Sequence, residues 1–388
     1  MARIVVGSYM VRYPLGGNLS WLLQWLMGFQ QLGHDVYLVE KSGYPSSCFD
    51  LSKRVMSDDC AYGIAIVNPL LERFGLQDRW CYVDAQGQYY GLPRQRVESI
   101  LKTADLFVDM GTHGVEKQGT WLEEAADTGL RVLIGTEPGF THIRMENKLA
   151  AGEELPQYDF YYTTGQNIGT DQSTAPTAGR QWRPVFDPIV MSQFPYQPAN
   201  PDAPFTTVMN WRSHEPIAFN GNEYGQKDVE FVKFMDLPSR ISVPLELAVA
   251  GKPMPTQQLM EARWCLRDAH EVTVSLNSYK RYIRASRGEF SVCKNVCVAM
   301  NTGWFSERSA AYLASGRPVV MQETGFSRHL PCGRGLFAVR TVNEAAAAIN
   351  EINSDYERHA KWARDIALEY LVAEKVLGKF LRELNISD

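Results

Sequence analysis

No apolar run in this 388-residue sequence approaches the roughly 20 residues that a membrane-spanning helix needs. Charge of one sign is also scarce: 39 Lys and Arg stand against 44 Asp and Glu, a formal net charge of −5. No block of basic residues stands out, so nucleic acid or an anionic membrane gains no electrostatic support as a partner. The first residues, Met1-Ala2-Arg3-Ile4-Val5-Val6, open directly on a strand pattern and lack the apolar core and cleavage site of a signal peptide. A cytoplasmic location is expected. The seven cysteines (48, 60, 81, 265, 293, 297 and 332) are odd in number and scattered, which suits reduced thiols and not a disulfide framework. Cys293 and Cys297 have the spacing of a metal pair, but no second pair accompanies them and no metal is expected. A G-x-G-x-x-G phosphate turn is missing after the first strand. Gly7, Gly16 and Gly17 have the wrong spacing, although Glu40 at the end of the second strand has the right chemistry for a ribose. A nicotinamide-dependent oxidoreductase therefore ranks low. There is no internal repeat and no low-complexity tract.

What the chain does have is enough length for two domains, each with its own core. Ile4-Val5-Val6 reads as a buried strand. Gly16-Gly17-Asn18 ends a loop, with Asn18 as the expected helix cap. Leu19, Leu22, Leu23, Leu26 and Phe29 recur at helical spacing until Gly33, and Val36–Val39 forms a second strand. This βαβ unit predicts a parallel α/β sheet. Further strands are expected at Leu106–Asp109, Arg131–Ile134 and Tyr158–Tyr162. Residues 165–204 are rich in Gly, Pro, Thr, Asn and Gln and read as an interdomain crossing. A second α/β pattern follows, with strands expected at 205–211, 245–249, 271–275, 319–321 and 335–339. Helices are expected at Asn343–Asn353 and Asp355–Leu384.

Gly303 to Gly325, GWFSERSAAYLASGRPVVMQETG, is the densest stretch. Ser306 is a good N-cap, Glu307–Ser315 a short small-residue helix, and Gly316 with Pro318 its stop. Val319-Val320-Met321 has the composition of a strand buried on both faces. Arg308 sits in the first helical turn, where the macrodipole disfavours a cation. A bound anion resolves that conflict, and so do Glu307 and solvent.

Tyr312-Leu313-Ala314-Ser315-Gly316-Arg317-Pro318-Val319-Val320 resembles the donor segment of GT-B fold glycosyltransferases, nucleotide-sugar-dependent enzymes of the bacterial type. The likeness is strongest over residues 285–370. It implies two Rossmann-like domains facing a cleft: 1–187 binding the acceptor, 188–370 binding the nucleotide sugar, and 371–388 as a helix crossing back to the first domain. It implies sugar transfer from a nucleoside-diphosphate sugar, UDP or TDP, to an acceptor hydroxyl or other nucleophile, with no tightly bound cofactor. A sugar-nucleotide epimerase on the same fold is the alternative. Many retaining members carry two glutamates flanking this helix start, and Gly303 and Ala311 stand at those places, which leaves the stereochemical outcome open.

By the same resemblance, Gly303, Trp304, Phe305, Ser306, Arg308 and Ser309 hold the donor diphosphate. Glu323-Thr324-Gly325 touches the sugar, and the loop of Gly16, Gly17 and Asn18 faces the cleft from the acceptor side. Arg212 and Lys227 flank a long polar loop, either as neutralisers of the departing diphosphate or as solvated cations. Glu289 either holds ribose or sugar hydroxyls or pairs with Arg287 or Lys294. An inverting transfer needs a base. His113 lies in Asp109-Met110-Gly111-Thr112-His113-Gly114 at the carboxyl end of an expected strand, where open α/β sheets place ligands. Asp109 is a candidate to orient it, Glu137 is a second base, and a surface histidine is the other reading of His113.

Overall fold

A computed structural model of the chain describes residues 1–116, 119–251 and 253–386. The first sheet has eight strands: β1 (Arg3–Gly7), β2 (Asp35–Lys41), β3 (Trp80–Val83), β4 (Tyr89–Gly91), β5 (Leu106–Asp109), β6 (Leu130–Gly135), β7 (Phe160–Thr163) and β8 (Trp182–Pro184). Their order is β8-β7-β6-β5-β1-β2-β3-β4, parallel throughout except where β4 turns back on β3. Val6 is paired with Leu38 on one side and Val108 on the other, and all three are buried. Covering the sheet, α1 (Gly16–Gln31) buries Leu19, Leu22, Leu26 and Phe29 at the spacing the sequence showed.

The second sheet has six parallel strands: β9 (Phe205–Asn210), β10 (Leu245–Ala250), β11 (Cys265–Asp268), β12 (Gly288–Ser291), β13 (Val319–Gln322) and β14 (Leu336–Val339), in the order β11-β10-β9-β12-β13-β14. Its helices include α2 (Leu276–Ala285), α3 (Glu307–Ala314), α4 (Val342–Ser354) and α5 (Tyr356–Ile366). The last helix, α6 (Ala373–Glu383), lies on the first sheet's α1. A Cβ on Gly28 would meet Leu377 Cδ1 at 2.5 Å, and Phe380 packs on Trp25, Phe29 and Tyr162.

Four expectations need correction. Residues 271–275 are not a strand. Asp268 ends β11 and accepts from His270 N at 2.9 Å, capping a helix over Ala269–Thr273. The 165–204 stretch is not all crossing, because β8 lies inside it and extends the first sheet. Asn18 is not a cap: α1 starts at Gly16, and Asn18 Nδ2 reaches back to the Tyr9 and Tyr13 carbonyls, both at 2.9 Å. The C-terminal helix is broken. A π-turn at Ala367–Leu371 leads to Val372 in extended conformation, where Ile189 of the crossing bonds to Leu371 O (2.8 Å) and receives Ala373 N (2.9 Å). That exchange ties the outgoing and returning segments together and diverts Leu371 O and Ala373 N from the helical bonds they would have made.

Candidate active site

The carboxyl ends of both sheets face one cleft. Tyr9 follows β1, Glu137 follows β6, Asn210 ends β9 and Lys294 follows β12. The cleft has a smaller lobe of about 320 Å³ and a larger one of about 740 Å³, which share Tyr9, Glu137, Asn210 and Ser213.

The smaller lobe is where α3 begins. Ser306 Oγ accepts from Arg308 N at 3.2 Å, so the expected cap is present. Gly303 has φ +75°, and a Cβ there would meet Asn167 N at 2.8 Å, so only glycine makes this approach without strain. Trp304, Ser306, Glu307 and Arg308 line the lobe, as do Gly17 and Asn18 from the opposing start of α1. Two helix N-termini thus point into one space, a favourable setting for an anion. Lys227 lines it too. Its side chain is buried and makes no hydrogen bond or ion pair among the described residues. Burial, with Arg308 nearby, pushes Lys227 down to about 7.

Beside Glu307, Arg308 has a counter-ion that the sequence did not mark. Its Nε lies 2.7 Å from Glu289 Oε1 and its Nη2 lies 3.0 Å from Ser291 Oγ. Glu289 is fully buried, pairs with neither Arg287 nor Lys294, and is not on the lobe wall, so it is a counter-ion to Arg308 and not a hydroxyl ligand of the cavity.

Other predicted residues turn inward. Phe305 packs on Phe326 in the core, and Ser309 Oγ faces Met321. Glu323 Oε1 accepts from Gly325 N, and Thr324 Oγ1 donates to Trp304 O at 2.6 Å. The Glu323-Thr324-Gly325 loop therefore supports the Trp304 turn from behind and does not line either lobe.

The larger lobe holds His113, Arg212 and His214. Arg212 is tied to Asp228 by Nη2 at 2.7 Å and Nε at 3.0 Å. Asp109 does not orient His113. Its two oxygens are taken by Gly111 N, Thr112 N, the Thr112 hydroxyl and the Tyr158 hydroxyl. Burial lowers the His113 pKa, which favours the neutral ring. Glu137 meets Lys294 Nζ at 2.6 Å and His214 Nε2 at 3.3 Å. Burial opposes ionisation of Glu137, but Lys294 and His214 outweigh it and hold the carboxylate well below its usual range.

Sequence reasoning missed Lys294 and Asp187, both on the wall of the smaller lobe. Asp187 accepts Trp21 Nε1 at 2.8 Å and Trp25 Nε1 at 3.2 Å. It lies between Phe186 and Pro188 in the proline-rich stretch, where no pattern marks it. Among the described residues no group of three His, Cys, Asp or Glu side chains is arranged to hold a metal ion. Nor is any helix among them long and apolar enough to cross a membrane.

No protein-family model matches the sequence, and no curated protein matches it. Solved structures do match along the whole chain. An α-glucosyltransferase bound to UDP and a 13-mer DNA shares 10% identity, with 99% of each chain covered and a TM-score of 0.58. HepE of Anabaena with UDP-glucose shares 13%, with 99% of this chain and 100% of that one covered and a TM-score of 0.56. Sucrose-phosphate synthase of Thermosynechococcus elongatus shares 13%, with both chains fully covered and a TM-score of 0.54. Two mainly parallel sheets meeting at their carboxyl ends, with the last helix returned to the first sheet, give this chain the GT-B fold of those glycosyltransferases.

Proposed function

We propose that the protein is a glycosyltransferase that moves a sugar from a nucleoside-diphosphate sugar, with UDP or TDP as the nucleotide, to an acceptor hydroxyl or other nucleophile. The observation that carries this reading is Lys227: a buried amine, unpartnered among the described residues, in a lobe lined by the starts of α1 and α3. Burial disfavours its charged form, and an anionic ligand that supplies the missing counter-ion restores it. The fold neighbours bound to UDP and UDP-glucose support the choice of ligand.

In this reading the diphosphate lies between the two helix starts, with Lys227 and Lys294 beside it and Trp304 at its edge. As the bond from the anomeric carbon to the phosphate oxygen breaks, the electron pair leaves with the nucleoside diphosphate, and these preorganised positive ends stabilise it. The acceptor enters the larger lobe, which opens onto the smaller through Tyr9, Glu137, Asn210 and Ser213. Residues 1–187 then supply the acceptor side and residues 188–370 most of the donor side, with the start of α1 closing over the diphosphate. Of the two base candidates, His113 is favoured: burial favours its neutral form, whereas Glu137 already serves as counter-ion to Lys294.

Thermal unfolding with UDP, TDP, GDP, ADP, CMP and NAD, one at a time, tests the reading. A ligand at about a hundred times its dissociation constant adds about 2.7 kcal/mol, several degrees for a chain of this size. The expected result is a shift with one nucleoside diphosphate that is lost in Lys227→Ala. A shift with NAD alone overturns the proposal.

A further inference from the structure

Asp187 has no part in the scheme above, yet it is placed for one. Two indoles one helical turn apart on α1 fix its Oδ1, while Oδ2 has no hydrogen-bond partner among the described residues. The residue is only 7% exposed and lines the smaller lobe. Asp109 has both oxygens engaged, and the unpartnered Oε2 of Glu289 is sealed in the interior, whereas Asp187 is on the wall of the lobe. Here one oxygen is clamped and the other is left to the cavity.

We propose that Asp187 enters the loaded site as a carboxylic acid and donates a hydrogen bond from Oδ2 to a phosphate oxygen of the nucleoside diphosphate. This inference rests on the donor-site reading above. The surroundings suit a neutral acid facing an anion. Glu307, the first residue of α3, shares the lobe and repels a second negative charge. Burial, reinforced by Glu307, raises Asp187 to about 7, while the two indole N–H groups pull the other way. Tyr9 after β1 and Tyr279 of α2 also line the lobe, and burial keeps both hydroxyls protonated. None of the cations pairs with Asp187: Arg308 is held by Glu289, Lys294 by Glu137, and Lys227 is unpaired. An arriving diphosphate pushes the carboxyl further toward its neutral form. Binding must then take up a proton at any pH where the free carboxyl has lost it.

Lys227 also gains a proton when an anion arrives, so variants are needed to separate the two groups. The test is calorimetric titration of the full chain with UDP, TDP, GDP and ADP in turn, from about pH 6.5 to about pH 8.5, in buffers of different ionisation enthalpy. At the alkaline end the nucleotide's own phosphates are fully ionised. Wild type is expected to take up about one proton more than Asp187→Asn, and its affinity to fall about tenfold more per pH unit. Trp21→Phe, which removes one donor from Oδ1, should move that break to higher pH. Equal proton uptake and equal pH slopes in wild type and Asp187→Asn would overturn the inference and leave the donor site standing. If none of the four nucleotides binds at the acid end, the donor reading falls and this inference falls with it.

Discussion

Lys294 Nζ lies 2.6 Å from Glu137 Oε1, and the two residues follow strands of opposite sheets, β12 and β6. This ion pair spans the cleft, with Lys294 lining the smaller lobe and Glu137 lining both. In the proposed donor site it would compete with the ligand, because a carboxylate occupies the ammonium that a diphosphate would use. Both side chains keep some exposure, 18% for Lys294 and 25% for Glu137, so the pair is partly screened and exchangeable.

Glu137→Gln should therefore tighten binding of UDP, by roughly three- to tenfold at low salt, as expected when a like charge leaves an anion site and a cation is released. The gain should shrink as salt rises. Calorimetry at two ionic strengths measures it. Unchanged affinity would place Lys294 outside the donor's reach.

Arg308 and Glu289 form a different kind of pair. Glu289 is fully buried, its Oε2 has no hydrogen-bond partner among the described residues, and Arg308 is its one ion-pair partner among them. Removing that partner leaves a lone buried carboxylate, a loss of about 3–5 kcal/mol. Arg308→Ala is predicted to lower stability to urea by that amount, and adding Glu289→Gln should recover much of it. A loss under about 1 kcal/mol would mean that water already reaches the pair.

These pairs mark the boundary of what the sequence disclosed. The first βαβ unit and the 303–325 stretch were legible because periodicity, the Ser306 cap and the Gly316 stop are local signals. Lys227 was legible as a cation flanking a polar loop. The strand expected at 271–275 rested on the alternation of Glu271-Val272-Thr273-Val274-Ser275, and the Asp268 cap overrode it. Glu289 was recognised as important but given the wrong partner, since Arg308 reaches it only when α3 folds over β12. Asp187 and the Lys294–Glu137 pair depend on segments brought together by the crossing and the cleft. Residue spacing contains no trace of contacts 157 or more positions apart.

Gly16 is a point of close approach between the two halves. A Cβ there would come within 2.4 Å of the Ser275 carbonyl oxygen and 2.8 Å of Tyr279 Cβ, where α1 meets the start of α2. Neither contact is with a flexible side-chain end, so the helices must separate. Gly16→Ala should lower stability by about 1–3 kcal/mol, the usual effect of overpacking. It should weaken nucleotide binding as well, because the start of α1 is displaced from the lobe. Wild-type unfolding and binding in this variant would mean that the two halves meet less closely in solution.

His142 predicts how the fold answers to acid. The ring is fully buried 4.3 Å from the Trp182 ring, its Nδ1 accepts from Gly139 N at 3.2 Å, and its Nε2 has no hydrogen-bond partner among the described residues. Burial pushes its pKa down to about 3. In the unfolded chain it protonates near about 6.5. Between those values the unfolded state holds a proton that the folded state refuses, so stability falls as pH falls. At about pH 5 the loss from this residue is about 2 kcal/mol. Asp187 acts in the opposite direction, since its raised value favours the folded state as pH falls through an overlapping range. The effect of His142 is therefore read as the difference between wild type and His142→Asn, which keeps an acceptor for Gly139 N–H. Urea unfolding from about pH 7 to about pH 5 should show the wild type losing more stability than the variant. Parallel losses would mean that the folded protein accommodates the imidazolium, and that the His142–Trp182 packing opens to water without unfolding the chain.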